Sequence, residues 1–213
     1  MVMCETPTET WPVQGDYPRP AGRNHQGNFM SQLTFNAERH EYKLGDRVLP
    51  SVSEILKELH LIDDTWFNDY ATDRGSKVHR MTLYYDEGNL DEASLDPELK
   101  GYLAAYHAFR QSVPIKWTCM ETPMYDEMLG YAGTPDRIGM NMQGTYVVDI
   151  KTSSSVSKWW GVQLSAYQKL SGAAHKMTVR LSQDGRFRVD TWTSQRDDIA
   201  WQSALNLYHW KRR

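Results

Sequence analysis

The sequence has only two cysteines, Cys4 and Cys119, among its 213 residues. Two cysteines exclude a disulfide framework and a four-cysteine metal cluster, and they favour a reducing compartment. No stretch approaches 18 apolar residues, and the first residues lack the charged and apolar regions of a signal peptide. These absences predict a soluble cytoplasmic protein rather than a secreted or membrane-spanning one.

An excess of charge of one sign is also missing, because 24 basic side chains face 27 acidic ones. This balance excludes a uniformly basic nucleic-acid coat but leaves room for a local basic site. The charges are segregated: residues 150–213 carry a net charge of +7, and residues 1–149 carry −10. A polyanion would meet the C-terminal third first, whereas the alternative is an ordinary solvated surface of mixed charge.

The chain has the length of one ordinary domain, and its hydrophobic content of 40% predicts a packed core. Residues 1–30 are rich in Pro, Gly, Thr and Asn and have no apolar period. This composition predicts a mobile N-terminal arm, followed by a single domain at residues 31–213.

Periodicity, caps and turn residues predict a succession of helices and strands. The expected helices lie at 51–60, 74–85, 96–111, 158–174 and 196–210, with a strand pair at 33–44, strands at 115–125, 131–140 and 145–151, and a hairpin at 176–192. Asp64 is expected to cap a further helical stretch, and residues 86–98, with six acids, are expected to form an exposed loop. This order predicts an α/β protein in which helices cover both faces of a mixed central β-sheet.

Two carboxylates and a lysine form the most informative motif. Asp149 and Lys151 are two residues apart at the end of an apolar strand, so both side chains point to one face. Asp136 lies on the neighbouring strand of the same predicted hairpin. Such a pair of carboxylates suits a hard divalent cation such as Mg²⁺, and the lysine could orient a metal-bound water or balance phosphate charge. The alternative is a surface salt bridge at a strand end.

Three other polar residues point to the same chemistry. Gln163 and Tyr167 have i, i+4 spacing on a predicted helix, so they share a face and could position a phosphate backbone or the lysine. The alternative is a solvated glutamine and a core tyrosine. His79 would be a good ligand for Mn²⁺ and a tolerable neighbour for Mg²⁺, whereas the alternative is a structural histidine.

Taken in order, these motifs resemble RecB-like nucleases of the PD-(D/E)XK superfamily. The matching pieces are Gly75-x-x-Val78-His79, Gly133-x-x-Asp136, Asp149-x-Lys151 and Gln163-x-x-x-Tyr167. Residues 49–56 also resemble the entry segment of phage exonucleases and of the mitochondrial genome-maintenance exonuclease group. The resemblance covers about residues 40–210 and extends over the predicted domain.

The resemblance implies a restriction-endonuclease-like core and divalent-metal-dependent hydrolysis of phosphodiester bonds in DNA. Carried over residue by residue, it implies metal ligation by His79, Asp136, Asp149 and the backbone carbonyl of Ile150, catalysis by Asp136, Asp149 and Lys151, and substrate binding by Gln163 and Tyr167. Mg²⁺ is the implied cofactor, with Mn²⁺ as an alternative. No iron–sulfur cluster is expected, because the cysteines that hold one in some relatives are absent. The acid often found four residues after the histidine is Leu83 here.

The function predicted on this basis is that of a DNA exonuclease in recombination, repair or replication, acting in the host cytoplasm if it is phage-encoded. The alternatives are an endonuclease of restriction or resolving type on the same core, and a non-catalytic DNA-binding module. DNA is the expected partner, a membrane is not, and a homo-oligomer or a recombination partner protein stays open.

Several side chains outside the motifs carry weaker predictions. Glu121 could add a carboxylate, although an exposed strand glutamate is the simpler interpretation. Trp159 and Trp160 could stack on a base, or belong to the core. Trp192 and Trp201 are expected to pack in the core, as is Trp210.

Overall fold

The computed structural model of the chain describes residues 33–62 and 69–212. The predicted N-terminal arm at 1–30 and the predicted cap at Asp64 lie outside the described residues, and the single domain at 31–213 stays a prediction.

Five α-helices lie in the described part of the chain: α1 (Val52–Glu58), α2 (Asp69–Asp86), α3 (Lys100–Ser112), α4 (Trp159–Ser171) and α5 (Gln195–Trp210). Two short 3₁₀ turns, Glu92–Ser94 and Pro97–Leu99, lie between α2 and α3. Within the described ranges, no helix combines the length and the apolar character needed to cross a bilayer.

Ten strands in residues 33–62 and 69–212 form three sheets. They are β1 (Leu33–Asn36), β2 (Glu41–Leu44), β3 (Arg47–Leu49), β4 (Lys116–Met120), β5 (Met124–Asp126), β6 (Tyr131–Gly133), β7 (Arg137–Asn141), β8 (Gly144–Lys151), β9 (His175–Leu181) and β10 (Phe187–Thr191). The central sheet has the order β10-β9-β8-β7-β4, with β1-β2-β3 and β5-β6 as small antiparallel sheets. In the central sheet β8 and β9 are parallel and the other neighbours are antiparallel, so the sheet is mixed.

Helices cover both faces of this sheet. Successive residues of β8 alternate between two cores, since Val147 packs with α1, α4 and α5, whereas Val148 and Ile150 pack with α2 and α3. This alternation follows from the period of two in a strand. The predicted α/β class is thereby confirmed, and the layers are consistent with a restriction-endonuclease-like core.

The predicted capping residue of α1 is confirmed. Ser51 Oγ accepts a hydrogen bond of 3.0 Å from the backbone N–H of Glu54, as an N-cap serine should. The Glu54 carboxylate accepts a hydrogen bond from the Tyr208 hydroxyl at 2.5 Å. The cap therefore also connects α1 to α5.

The predicted strand at 131–140 is wrong in one respect, because the structure breaks it into β6 and β7. Residues 134–136 form the break, and Pro135 has no N–H to donate to a ladder. The predicted strand at 115–125 is likewise divided, into β4 and β5, which lie in different sheets. The first break places Asp136 at a bend instead of within a strand.

Two predictions about exposure are also wrong. Asp86 was expected in an exposed acidic loop, but it ends α2 with only 1% of its side chain exposed, because Arg137 and Tyr106 bind its carboxylate. Trp210 was expected in the core, but it is 68% exposed on the last turn of α5. Trp201 is fully buried, as predicted.

Candidate active site

The predicted site residues come from three adjacent parts of the fold. His79 lies in the middle of α2, and Gln163 and Tyr167 lie on α4. Asp136 immediately precedes β7, and the motif Asp149-Ile150-Lys151 ends β8, the antiparallel partner of β7. The β7–β8 pair therefore brings the two aspartates together.

Asp136 is held by contacts from two directions. Its Oδ2 accepts a hydrogen bond of 2.6 Å from the backbone N–H of Ile150, and its Oδ1 lies 3.4 Å from His79 Nδ1. Burial alone would raise the pKa of Asp136, but the charge and hydrogen bond of His79 outweigh it and hold that pKa below its usual value. Burial alone would lower the pKa of His79, yet its interaction with Asp136 raises that pKa to about 9. At neutral pH the two groups form an ion pair.

Asp149 and Lys151 do share a face of β8. Lys151 Nζ lies 2.6 Å from Asp149 Oδ2, a charge contact without the alignment of a hydrogen bond. This oxygen is buried and lacks an aligned donor among the described residues. Burial raises the pKa of Asp149 to about 6, with Lys151 opposing the shift and Asp136 adding to it. Besides the Lys151 ammonium, the carboxylate has lone pairs that could bind a further cationic partner.

The polar face of α4 meets the lysine. Lys151 Nζ donates to Gln163 Oε1 at 3.1 Å, and Gln163 Nε2 donates to the Tyr167 hydroxyl at 3.3 Å. Both α4 side chains are buried, so Gln163 is not the solvated residue of the alternative interpretation. Burial, with the nearby charge of Asp149, raises the pKa of Tyr167 well above its ordinary value, so the hydroxyl stays protonated. Gln163 therefore supports the Lys151 ammonium from α4, and Tyr167 in turn holds Gln163. The predicted contact of these two residues with substrate stays a prediction.

Two tryptophans complete the surroundings of the lysine. The Lys151 ammonium lies 4.9 Å from the ring centroid of Trp159 and 5.6 Å from that of Trp160. Cation–π attraction at such distances restrains a flexible ammonium. These contacts restrict where Lys151 can move. Trp160 is only 3% exposed, which favours the core interpretation for that ring, whereas base stacking by the half-buried Trp159 stays a prediction.

The backbone around Asp136 is fixed by close packing. The Tyr42 hydroxyl of β2 lies 2.7 Å from Thr134 Oγ1, which anchors the break between β6 and β7 to the N-terminal sheet. A Cβ added to Gly133 would lie 2.8 Å from Tyr167 Cε1 and 3.0 Å from Val52 Cγ2. Glycine is required there because the backbone passes directly against the α4 tyrosine.

Sequence reasoning underestimated Glu121. It was expected to be an exposed strand residue, but it follows β4 with a φ of 41°, and its N–H donates to the carbonyl of Asp136 at 2.9 Å. Its Oε1 is buried without an aligned donor, 3.7 Å from Arg137 Nη1. Burial, and then the charge of Asp136, raises the pKa of Glu121. The signal available was the Glu-Thr-Pro sequence at the strand end, since proline ends a ladder.

Sequence reasoning missed Arg137 altogether. This fully buried side chain donates from Nη1 to the carbonyl of Asp136 at 2.8 Å and from Nη2 to Thr82 Oγ1 at 3.3 Å. Its position next to Asp136 at the start of an apolar strand was the available signal, because a buried charge needs partners. Arg137 fixes the backbone that carries the first aspartate.

The donor set can be tested against the divalent cation that the motif predicts. In residues 33–62 and 69–212, no three His, Cys, Asp or Glu side chains form a group arranged to hold a metal ion. The Lys151 ammonium and the His79 imidazole occupy the cationic positions beside the two carboxylates. The buried Asp149 Oδ2, which lacks an aligned donor, nevertheless offers the kind of hard anionic ligand that Mg²⁺ takes. A divalent cation would therefore have to displace these two protonated groups to reach the carboxylates.

Comparison with known proteins gives matches only at the level of structure. No family model and no curated protein matches the chain. The fold is similar to that of the alkaline exonuclease LHK-Exo from Laribacter hongkongensis, at 10% identity and a TM-score of 0.45, with 74% of each chain covered. LHK-Exo in complex with dAMP gives 10% identity and a TM-score of 0.45, covering 76% of this chain and 87% of that one. A protein from Eubacterium rectale, provisionally assigned as an exonuclease, gives 13% identity and a TM-score of 0.42, covering 73% and 68%.

Proposed function

We propose that this protein is a divalent-metal-dependent DNA nuclease of the RecB-like PD-(D/E)XK type. One observation carries the proposal: the Asp149 carboxylate, buried at the end of β8, lies 2.6 Å from Lys151 and in the electrostatic field of Asp136. Burying two carboxylates and an ammonium together costs stability, which a merely structural site has no reason to sustain. Concentrated charge of this kind at the end of a central strand is characteristic of catalytic sites.

The proposed ligands of the cation are Asp136, Asp149, His79 and the backbone carbonyl of Ile150. A bound Mg²⁺ would polarise the phosphate and acidify a water molecule. Asp136 is already oriented by the Ile150 N–H and needs no rearrangement of the backbone to present its carboxylate. Mg²⁺ is the proposed ion because carboxylate ligands suit it, and Mn²⁺ is the alternative because it accepts imidazole more readily.

Lys151 is proposed to act directly on the reacting groups. Gln163, Trp159 and Trp160 hold its ammonium beside Asp149, so it can offer a positive charge to a phosphate oxygen or orient the attacking water. The charge on the phosphate grows in the transition state, and a fixed ammonium stabilises this charge without reorganisation. Gln163 and Tyr167 would then position the lysine, the substrate or both.

The proposed substrate is DNA, and the proposed role is that of an exonuclease in recombination, repair or replication, acting in the host cytoplasm if it is phage-encoded. An endonuclease on the same core is the second candidate, because the site geometry is compatible with either. A DNA-binding module without activity has no need of the buried Asp136, Asp149 and Lys151 set. A homo-oligomer or a partner protein is compatible with these proposals and is not required by them.

The experiment that tests the function is digestion of end-labelled linear DNA and of closed circular DNA with Mg²⁺, Mn²⁺ or EDTA. We expect cleavage of linear DNA with either ion and none in EDTA, and an intact circle identifies the exonuclease. Lys151→Ala should abolish cleavage and retain DNA binding, whereas the exposed Lys158→Ala should keep both. Cleavage in EDTA, or near-normal turnover by Lys151→Ala, would contradict the proposal.

A further inference from the structure

Three basic side chains form a row across the central sheet, beginning at Lys151. In the parallel register of β8 and β9, Lys151 is paired with Arg180, and in the antiparallel register of β9 and β10, Arg180 is paired with Arg188. Directly paired residues of neighbouring strands share a face. With strands about 4.8 Å apart, the row extends about 10 Å from the lysine to the edge strand.

A cavity of about 250 Å³ lies over the outer end of this row. Its polar lining consists of Ser153, Ser154 and Ser182 with Arg180, Arg186 and Arg188. Residues 153–154, which line one wall of the cavity, follow Lys151 closely in the chain. The cavity and the candidate active site therefore share one stretch of chain. Hydroxyl and guanidinium groups without a lining carboxylate are the chemistry that binds phosphate.

The three arginines have different roles in this cavity. Arg180 is largely buried and fixed, since Nε donates to Asp190 Oδ2 at 2.7 Å and Nη1 donates to the Ser154 carbonyl at 2.8 Å. Arg186 is exposed and bound to Asp184, which neutralises its charge. Arg188 is exposed, and within the described part of the chain it makes no ion pair. The uncompensated positive charge of the cavity therefore resides on Arg188.

We propose that this cavity binds a backbone phosphate of the nucleic acid, next to the linkage that lies at Lys151, with Arg188 as its principal contact. This inference rests on the proposed function and extends it by naming the path of the strand: from Lys151 across β9 to the edge strand β10. Arg180 shapes the wall through its contacts with Asp190 and the Ser154 carbonyl, and the Ser154 side chain adds a hydroxyl to the lining. A phosphate, rather than a base, is the group recognised, so this contact adds affinity without adding sequence preference.

The test compares Arg188→Gln with a matched control, Lys169→Gln, an exposed charge on the last turn of α4. Lys169 lies ten residues along α4 from Trp159, about 15 Å from the helix start near the site. Binding of a short labelled DNA to the full chain in EDTA is measured over a salt series. We expect Arg188→Gln to reduce the slope of log K against log salt by about 0.7–0.9, and Lys169→Gln to leave it unchanged.

A second arm locates the phosphate by replacing single linkages near the DNA end with uncharged methylphosphonates. We expect one position at which the replacement weakens binding by the wild type but no longer weakens binding by Arg188→Gln, which is the signature of a direct pair. Equal slopes for the two variants, or the same methylphosphonate penalty in wild type and Arg188→Gln, would overturn the inference. Cleavage of linear DNA with Mg²⁺ is scored separately, so loss of the proposed function and loss of this phosphate site give different results.

Discussion

Arg137 Nε donates a hydrogen bond of 2.7 Å to Asp86 Oδ2, with 0% and 1% of the two side chains exposed. Arg110 Nε lies 3.4 Å from the other carboxylate oxygen, close enough for attraction but not aligned as a hydrogen bond. The pair joins the end of α2, the helix of His79, to the first residue of β7, which directly follows Asp136. A buried charge pair thus ties α2, which carries His79, to the start of β7, next to Asp136.

Replacing one member of this pair should be costly. Asp86→Asn removes the carboxylate that binds Arg137 Nε and leaves the buried guanidinium with only the more distant Glu121 carboxylate, 3.7 Å from Nη1. Loss of one partner of a buried pair costs about 3–5 kcal/mol. We expect a decrease of that size in the free energy of unfolding, measured by urea denaturation. Asp184→Asn is the control, because its partner Arg186 lies at the surface, and it should change stability little. Similar unfolding midpoints for the two variants would refute this role for the pair.

Two glycines of the matching motifs should respond to alanine in opposite ways. At Gly133 the new Cβ would lie 2.8 Å from the Tyr167 ring, and overpacking of this kind costs about 1–3 kcal/mol. At Gly75, in α2, the nearest atom would be Thr152 Oγ1 at 3.9 Å, which is an ordinary contact. Gly75→Ala should therefore gain up to about 1 kcal/mol from helix propensity. Thermal unfolding of both variants checks the signs, and stabilisation by Gly133→Ala would show that the 134–136 break is loosely packed.

The regular parts of the fold follow from local rules, which is why the sequence predicts them. Ser51 is a good N-cap wherever it precedes a helix, and the apolar run before Asp149 must be a buried strand in any α/β arrangement. Gly172 ends α4 earlier than predicted because its φ of 68° suits a left-handed C-cap. The pair of Asp149 and Lys151 could be placed on one face because the strand period is two.

The parts that sequence reasoning misplaced depend on partners distant in the chain. Asp86 is acidic in an acidic segment, and it is buried because Tyr106 and Arg137, 20 and 51 residues later, bind its carboxylate. Glu121 is drawn towards the site because its N–H binds the Asp136 carbonyl across the sheet. Trp210 is aromatic at helical spacing, but α5 packs through Trp201, Leu205 and Tyr208, which leaves the Trp210 ring outside.

The pH dependence of activity should report the protonation of Asp149. Its pKa of about 6 in the metal-free protein means that this carboxylate gains a proton as the pH falls through 6, and a protonated carboxyl is a poor ligand. With Mg²⁺ below saturation, we expect Asp149 to add a fall in cleavage of about tenfold per pH unit below pH 6 to the fall that begins below about pH 9 if His79 is also a ligand. Saturating Mg²⁺ should move this limb to lower pH, because metal and proton compete. If the fall in cleavage at low pH does not shift with the Mg²⁺ concentration, Asp149 is not the titrating ligand.

Proton release can decide whether His79 is a ligand. Its raised pKa, about 9, keeps the imidazole protonated at neutral pH in the metal-free protein, and a protonated ring cannot coordinate a cation. Metal binding through His79 should therefore release about one proton per site at pH 7.5. Calorimetry of Mn²⁺ binding in buffers of different ionisation enthalpy measures this number. His79→Gln should abolish the release, and a wild-type value near zero would remove His79 from the ligand set.

The charged Asp149 carboxylate should lower the stability of the metal-free protein and raise the stability of the metal-bound protein. Its pKa rises from 3.8 to about 6 on folding, so the folded state binds more protons between these values and stability falls as the pH rises through that window. Removing the charge with Asp149→Asn should raise the free energy of unfolding at pH 7 by about 1–3 kcal/mol without metal. Near pH 3 the two proteins should be equally stable.

Adding Mg²⁺ should reverse the order of the two proteins, because a ligand that binds only the folded state stabilises it in proportion to log concentration. The unfolding temperature of the wild type should rise with Mg²⁺, and that of Asp149→Asn should not. Asp190→Asn, which alters a carboxylate bound to Arg180 instead of one in the proposed metal site, provides the control and should keep the Mg²⁺ response. An Asp149→Asn protein that is less stable than the wild type at pH 7 without metal would show that the Lys151 contact outweighs the burial of the carboxylate. The cation would then not be needed to explain why that charge is retained.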